Sequence, residues 1–186
     1  MPPKVKITKE DIVNTAVEIV RSNGAQALNA RTIAAELNCS TQPIFSNFAT
    51  MEELHLAVVE KADLLCQTYM HREVESGVFP AYKASGMAYI RFAKEETELF
   101  KLLYMRDRSS ETVPDTIEFG DQMESFVQIC TGLDKGIVKI FHLEMWAFVH
   151  GIAAMIATGF VDLDFELVSR MLTDAYLGMR KQYNLE

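Results

Sequence analysis

Cysteine is scarce and shows no pairing pattern. The three thiols, Cys39, Cys66 and Cys130, are odd in number and widely separated, with no CxxC among them. That argues against a disulfide framework or a zinc site and for a reducing compartment. The stretch MPPKVKITKED at the start has no apolar central run of the kind a secretory signal carries, so a cytoplasmic protein is expected. The longest run without charge, Met145 to Val161, is 17 residues and includes His150 and Gly151. It falls short of the roughly 20 apolar residues that cross a bilayer, which predicts a buried helix and no membrane partner. Catalytic signatures are missing too: there is no GxSxG, no P-loop and no GxGxxG. His55, His71, His142 and His150 are scattered, and His142 and Glu144 lie two apart, facing different directions on a helix. An enzyme, a cofactor and a metal are all unexpected on these grounds.

What is present is the balance of an ordinary globular protein: 49% hydrophobic and 24% charged, with 9 Gly and 5 Pro in 186 residues. Such a length holds one substantial core, or a small module joined to a larger one. The charge is unevenly placed. Residues 1–50 carry Lys4, Lys6, Lys9, Arg21 and Arg31 against Glu10, Asp11, Glu18 and Glu36, a net +1, which leaves -9 on the other 136 residues. A small nucleic-acid module on an acidic body would show this asymmetry, although +1 is far from the usual basic footprint.

Helical periodicity runs through the chain, and no segment alternates with period two over the length of a strand. Thr8 with Asp11 makes a capping-box start for a first helix carrying Ile12, Val13, Ala16, Val17 and Val20, which Gly24 stops. Asn29 can cap a short second helix that buries Ile33, Ala34 and Leu37, and Ser40 a third whose first turn accommodates Pro43. Thr50 and Glu53 open a long fourth helix with Leu54, Val58, Ala62, Leu65 and Tyr69 on one face, broken between Ser76 and Pro80. Further helices are predicted at about 81–94, 96–105, 115–130, 137–159 and 164–183, with Asp134 and Asp164 as caps of the last two.

Helices two and three, joined by a three-residue turn and braced by the first, have the form of a helix-turn-helix that presents its last helix to the DNA major groove. The turn needs a positive φ, normally supplied by Gly, and here Asn38 stands at that position. On the third helix Ile44, Phe45 and Phe48 are expected inward, and Thr41, Gln42, Ser46 and Asn47 outward, where Gln and Asn suit adenine edges. The segment Ile33 to Phe48, IAAELNCSTQPIFSNF, followed by Met51-Glu52-Glu53-Leu54, closely resembles the DNA-binding domain of the TetR family, written IAxxxGvsxgtlYxxFxsKeeL. The resemblance spans about residues 6–60. It implies a homodimeric regulator, most often a repressor, that binds a double-stranded DNA operator and has a helical body for a small effector. The DNA-binding residues would be Arg31, Thr32, Ser40, Thr41, Gln42, Pro43, Phe45, Ser46 and Asn47. Phe45 replaces the family's usual Tyr and Met51 its usual Lys, which removes a hydroxyl and a cation from phosphate contact and leaves Lys4, Lys6, Arg31 and the helix N-termini to carry that load.

A looser resemblance, to the WHG type of TetR C-terminal domain, rests on Met87 to Ala93, Glu98 to Tyr104 and Trp146 to Gly151. The body is dense in aromatic residues and methionine, which suits an apolar cavity for a hydrophobic effector lined by Tyr82, Tyr89, Phe92, Phe100, Leu103, Tyr104, Met123, Phe126, Trp146 and His150. Plain core packing is the alternative for each of these. Gly151, Ala154 and Met155 on the penultimate helix, with Phe165, Val168, Leu172, Ala175 and Met179 on the last, are the expected dimer seam, paired as a four-helix bundle. The expectation is therefore an all-α chain of about nine helices: a three-helix DNA-binding domain at 1–50 and a larger effector-binding and dimerisation domain at 51–186. The competing class is a helical adaptor that keeps this shape and binds a protein partner.

Overall fold

The computed structural model describes residues 7–107 and 120–183. Among them the protein is all-helical, with no strand: α1 (Lys9–Asn23), a single 3-10 turn (Ala25–Ala27), α2 (Ala30–Glu36), α3 (Gln42–Asn47), α4 (Met51–Glu75), α5 (Ala81–Glu95), α6 (Thr97–Tyr104), α7 (Gly120–Thr131), α8 (Lys135–Ala157) and α9 (Phe165–Gln182). Two compact units form. The first takes the chain up to Cys66 together with Glu96–Arg106, and the second takes Gln67–Glu95 and the chain from Asp107 onward. A cut at residue 50 does not coincide with this division, because α6 packs on α1 and the first part of α4 belongs with the helices that precede it.

In the first unit the capping box at Thr8 is complete. The Thr8 hydroxyl accepts from the Asp11 amide at 3.1 Å, and the Asp11 carboxylate accepts from the Thr8 amide at 2.9 Å. α1 buries Ile12, Ala16, Val17, Ile19 and Val20. From α6, Leu99, Phe100, Leu102 and Leu103 are buried. Arg21 fixes the same pair of helices at their edge, its Nε 2.7 Å from Glu96 Oε2, while its guanidinium also pairs with Glu18. Along α4 the buried positions are Leu54, Val58, Ala62 and Cys66, a strict four-residue step. The stripe thus passes through Cys66, and Leu65 is only half-buried.

The second unit is arranged around α8, which packs against α5, α7 and α9. By length and composition alone α8 could cross a bilayer, with a mean hydropathy of 1.5 over its most apolar window. The charge-free run understates its reach because the charge of Glu144 falls within the helix just before Met145, with Lys135 and Lys139 further back in its first turns. Here its Val138, Phe141, Met145, Val149, Ile152, Ala153 and Ala157 are buried among neighbouring helices. Asp164 Oδ1 accepts from the Leu167 amide at 2.7 Å and caps α9 as expected, whereas the Asp134 side chain makes no capping bond at α8.

The turn from α2 to α3 is the most constrained piece of backbone. Asn38 has φ of 49°, the one positive value at a non-glycine among the described residues. A left-handed position strains most L-residues, and Asn is among the few that accept it. Asn38→Gly is expected to leave the urea midpoint unchanged or slightly raised. Asn38→Val is expected to lower stability by about 1–2 kcal/mol, with equal midpoints for the two variants counting against a strained turn.

Candidate nucleic-acid interface

Three local devices set the pose of α3. Asn29 Oδ1 accepts from the Arg31 and Thr32 amides at 3.1 and 3.0 Å, which fixes the start of α2. At the other end the Asn38 amide donates to the Ala35 carbonyl at 3.1 Å and the Cys39 amide to Ala34 at 2.9 Å, so the left-handed turn closes on α2 itself. The Cys39 thiol donates to the Ser40 carbonyl at 3.1 Å. α3 then starts one residue later than a Ser40 cap predicts. Thr41 is the residue before its first turn, already helical at φ -71° and ψ -11°, and no side chain caps it. Pro43 falls within the first turn, where its missing amide has no helical partner to lose.

The inward pair is Ile44 on α3 and Phe48 at its C-terminal cap, at 0% and 1% exposure. They are four residues apart and so share one face. Phe45, expected to join them, does not: it is 52% exposed and lies on the edge occupied by Gln42 and Ser46, which are also exposed. One helical residue is a turn of about 100°, so burying both Ile44 and Phe48 carries the intervening Phe45 out of the core. Asn47 is half-buried and donates to the Pro43 carbonyl at 2.8 Å, and the Ser46 hydroxyl donates to the Gln42 carbonyl, also at 2.8 Å. Both polar groups are thereby turned back on the helix. Thr41 and Thr32 are half-buried, and Ser40 and Arg31 are exposed.

Cations near this edge are few. Lys9 Nζ is 3.1 Å from Glu53 and 4.5 Å from the centre of the Phe48 ring, so it is committed to the junction of α1 and α4. The Ala49 amide and then the Lys9 ammonium hold the Glu53 carboxyl below its usual range. Thr50 and Glu53 do cap the start of α4, but the box is displaced by one: Thr50 Oγ1 accepts from the Glu53 amide at 3.2 Å while the Glu53 carboxylate takes the Ala49 amide at 2.8 Å. Met51 is half-buried. Lys4 and Lys6 lie outside the described residues.

Residues expected to line an effector cavity divide between the two units. Phe100 and Leu103 are buried and Tyr104 half-buried in the first unit, where the Tyr104 hydroxyl lies 3.7 Å from Cys66 Sγ. In the second, Tyr89 and Phe92 are buried and Met123, Phe126 and Tyr82 pack on a core of Val127, Leu133, Val138, Phe141 and Met145. A pattern missed by sequence reasoning joins α5 to α8. Tyr82 hydroxyl and His142 Nδ1 are 3.0 Å apart, and Tyr89 hydroxyl and His150 Nδ1 2.9 Å apart. Spacings of seven on α5 and eight on α8 return each partner to the same face, which is the only sequence signal for the pairs. Trp146 stacks on His150, ring centres 5.2 Å apart, and remains 36% exposed. A depression of about 330 Å³ in this unit is lined by Glu124, Ser125, Gln128, Lys135 and Val138, none of them among the expected cavity residues.

The expected dimer stripe on α9 is largely buried within the chain itself. Val168 and Leu172 are 0% and 3% exposed, and Ala175 and Met179 pack on the same core as Tyr82. Phe165 is half-buried, with the Arg91 guanidinium 4.4 Å from its ring centre. Here the strongest apolar stripe of α9 is buried against this unit's own core, which leaves the other face outward. On that outer surface stand Leu167 and Leu177 of α9 and Ile140 of α8, all exposed. Gly151, Ala154 and Met155 on α8 are half-buried, and a methyl group added at Gly151 would meet no atom within 4 Å.

Residues 82–175 match the family described as the tetracyclin repressor-like C-terminal domain. Among solved structures, a TetR-like transcriptional regulator from Rhodococcus sp. RHA1 is 14% identical with a TM-score of 0.67, the alignment covering 98% of each chain. A protein of unknown function from the same organism is 21% identical with a TM-score of 0.74, covering 96% of this chain and 98% of that one. A member of the TetR family from Streptomyces coelicolor A3 is 17% identical with a TM-score of 0.58, over 90% of this chain and 96% of that one. No curated protein matches the sequence.

Burial holds the His142 and His150 imidazoles below their ordinary protonation range, where the neutral ring can accept at Nδ1 from its tyrosine. The unfolded chain therefore binds protons that the folded one refuses as pH drops below about 6.5, and stability must fall with it. The urea midpoint is expected to decrease from pH 7.5 to 5.5, and to decrease less in a His142→Gln, His150→Gln variant. Identical pH dependence in both proteins would count against this role of the pairs.

Proposed function

Since the chain belongs to the TetR family of transcriptional regulators, we propose that it is a homodimeric repressor whose paired α3 helices grip a palindromic DNA operator and let go when a small hydrophobic effector binds the second unit. The observation that carries this reading is the outer edge of α3: Gln42, Phe45 and Ser46 stand exposed because Ile44 and Phe48 are buried beneath them. Gln42 offers a bidentate amide suited to adenine, and Arg31 and Ser40 flank it for phosphate and sugar contacts. A twofold partner would duplicate this edge at about one DNA turn, as a palindrome requires. The outer face of α8 and α9, with Gly151, Ala154, Met155, Leu167 and Leu177, is the proposed seam.

Release requires two states of the dimer. α4 contributes residues to both units, so a displacement of its second part on effector binding is the proposed route to the head. To move the population from almost all bound to almost all released, the effector must prefer the released state by about 5.5 kcal/mol. A second reading, an adaptor for a protein partner, is favoured by the commitment of Lys9 and Arg21 to carboxylates, which among the described residues of the head leaves Arg31 to meet phosphate.

Selection from a random duplex library followed by anisotropy titration separates the two. A regulator yields an enriched palindromic sequence. On that sequence Gln42→Ala is expected to weaken binding by about 1–3 kcal/mol per half-site. Arg31→Ala should weaken all sequences alike and reduce the slope of log K against log salt by about one per subunit. No enrichment from the library would sink the regulator reading in favour of the adaptor.

A further inference from the structure

The exposed phenyl ring of Phe45 has no counterpart in the chemistry proposed so far, which rests on hydrogen bonds and charge. It is the largest side chain on the outer edge of α3 and is 52% exposed. Exposure of one ring is ordinary in itself; what sets Phe45 apart is its place beside Gln42 on the edge proposed to face DNA, where contact would take its apolar area out of water. Its neighbours narrow the choice. The Ser46 hydroxyl hydrogen and one Asn47 amide hydrogen go to the Gln42 and Pro43 carbonyls, which turns both side chains back on the helix and leaves the Gln42 amide and the Phe45 ring as the larger exposed groups of this edge. They are three residues apart, so the two side chains are neighbours on the helix surface.

A surface of one amide beside one apolar ring matches a particular feature of the major groove. Adenine presents an acceptor and a donor there, which an amide satisfies together, and thymine presents the only apolar group in that groove, its 5-methyl. Resting on the regulator reading of the same helix, we propose that Phe45 is a specificity-determining residue that packs on a thymine methyl next to the base read by Gln42, so that each operator half-site holds an obligatory thymine at that place. The hydroxyl of a tyrosine would direct the ring toward phosphate. Its absence frees the ring for the groove floor, where apolar burial takes the place of the hydroxyl's hydrogen bond to phosphate.

Deoxyuridine is the direct probe, since it pairs as thymine does and lacks only the methyl. The library-selected duplex is prepared with each half-site thymine replaced in turn by deoxyuridine, and each is titrated against the wild type and Phe45→Ala at one salt concentration. The expected result is one thymine whose replacement weakens wild-type binding about fourfold per half-site, or about fifteenfold when both half-sites are changed, from the burial of a single methyl. In Phe45→Ala that penalty disappears, which separates lost contact from any change in the duplex itself. Circular dichroism should find Phe45→Ala folded as the wild type is, because the ring lies outside the core. If the protein selects a sequence but wild type and Phe45→Ala respond alike to every thymine replacement, the proposal is overturned while the regulator reading stands. If no sequence is selected, both are overturned.

Discussion

The pose of the head depends on burying two side chains four residues apart, one on the six-residue helix α3 and one at its C-terminal cap. α3 is too short to be stable by itself, so its orientation is dictated by what it buries. Ile44 and Phe48 are fully enclosed, and that anchoring fixes which edge faces outward. The left-handed step at Asn38 delivers the chain into this pose, and the amides of Asn38 and Cys39 return to α2 to hold it. A large apolar side chain, Phe45, is then left 52% exposed on the outer edge.

The second unit solves a different problem. α8 is strongly apolar, and α5, α7 and α9 cover the face that carries Val138, Phe141, Met145, Val149 and Ile152. Where polar groups intrude, they meet in pairs: Tyr82 with His142, and Tyr89 with His150. Each pair satisfies a hydroxyl and a ring nitrogen that would otherwise be stranded between helices. Because α9 spends its main apolar stripe on this unit's own core, its outward surface is weaker in hydrophobic character, with Leu167 and Leu177, and Ile140 and an open Gly151 on α8.

Much of the fold was legible because local signals agreed with tertiary demands. The boxes and caps at Thr8, Asn29 and Asp164 were readable from residue type and spacing, since each bond closes within three residues. Asn38 was readable because few residues tolerate its conformation. The misreadings share a cause. Ser40 and Asp134 have the right chemistry for caps but lack the bond, which depends on backbone angles set by packing. Phe45 looked internal because hydrophobicity alone places it there, and periodicity on six residues is too short to correct the error. The α9 stripe was seen correctly as a stripe, but no sequence says whether such a face meets its own core or a partner. The pairing of tyrosines with histidines across α5 and α8 needs the helices to be side by side, which spacing within each can only permit.

The central claim is that the outer edge of α3 lies against DNA in two symmetry-related copies, and affinity cleavage tests it most directly. An iron chelate attached at Ser46→Cys, with the partly accessible Cys39 and Cys130 replaced, reports where that edge sits by cutting nearby deoxyribose. The account predicts two clusters of cuts in the selected duplex, related by its dyad and about one helical turn apart. Cuts spread evenly along the duplex, or none above background, would contradict it.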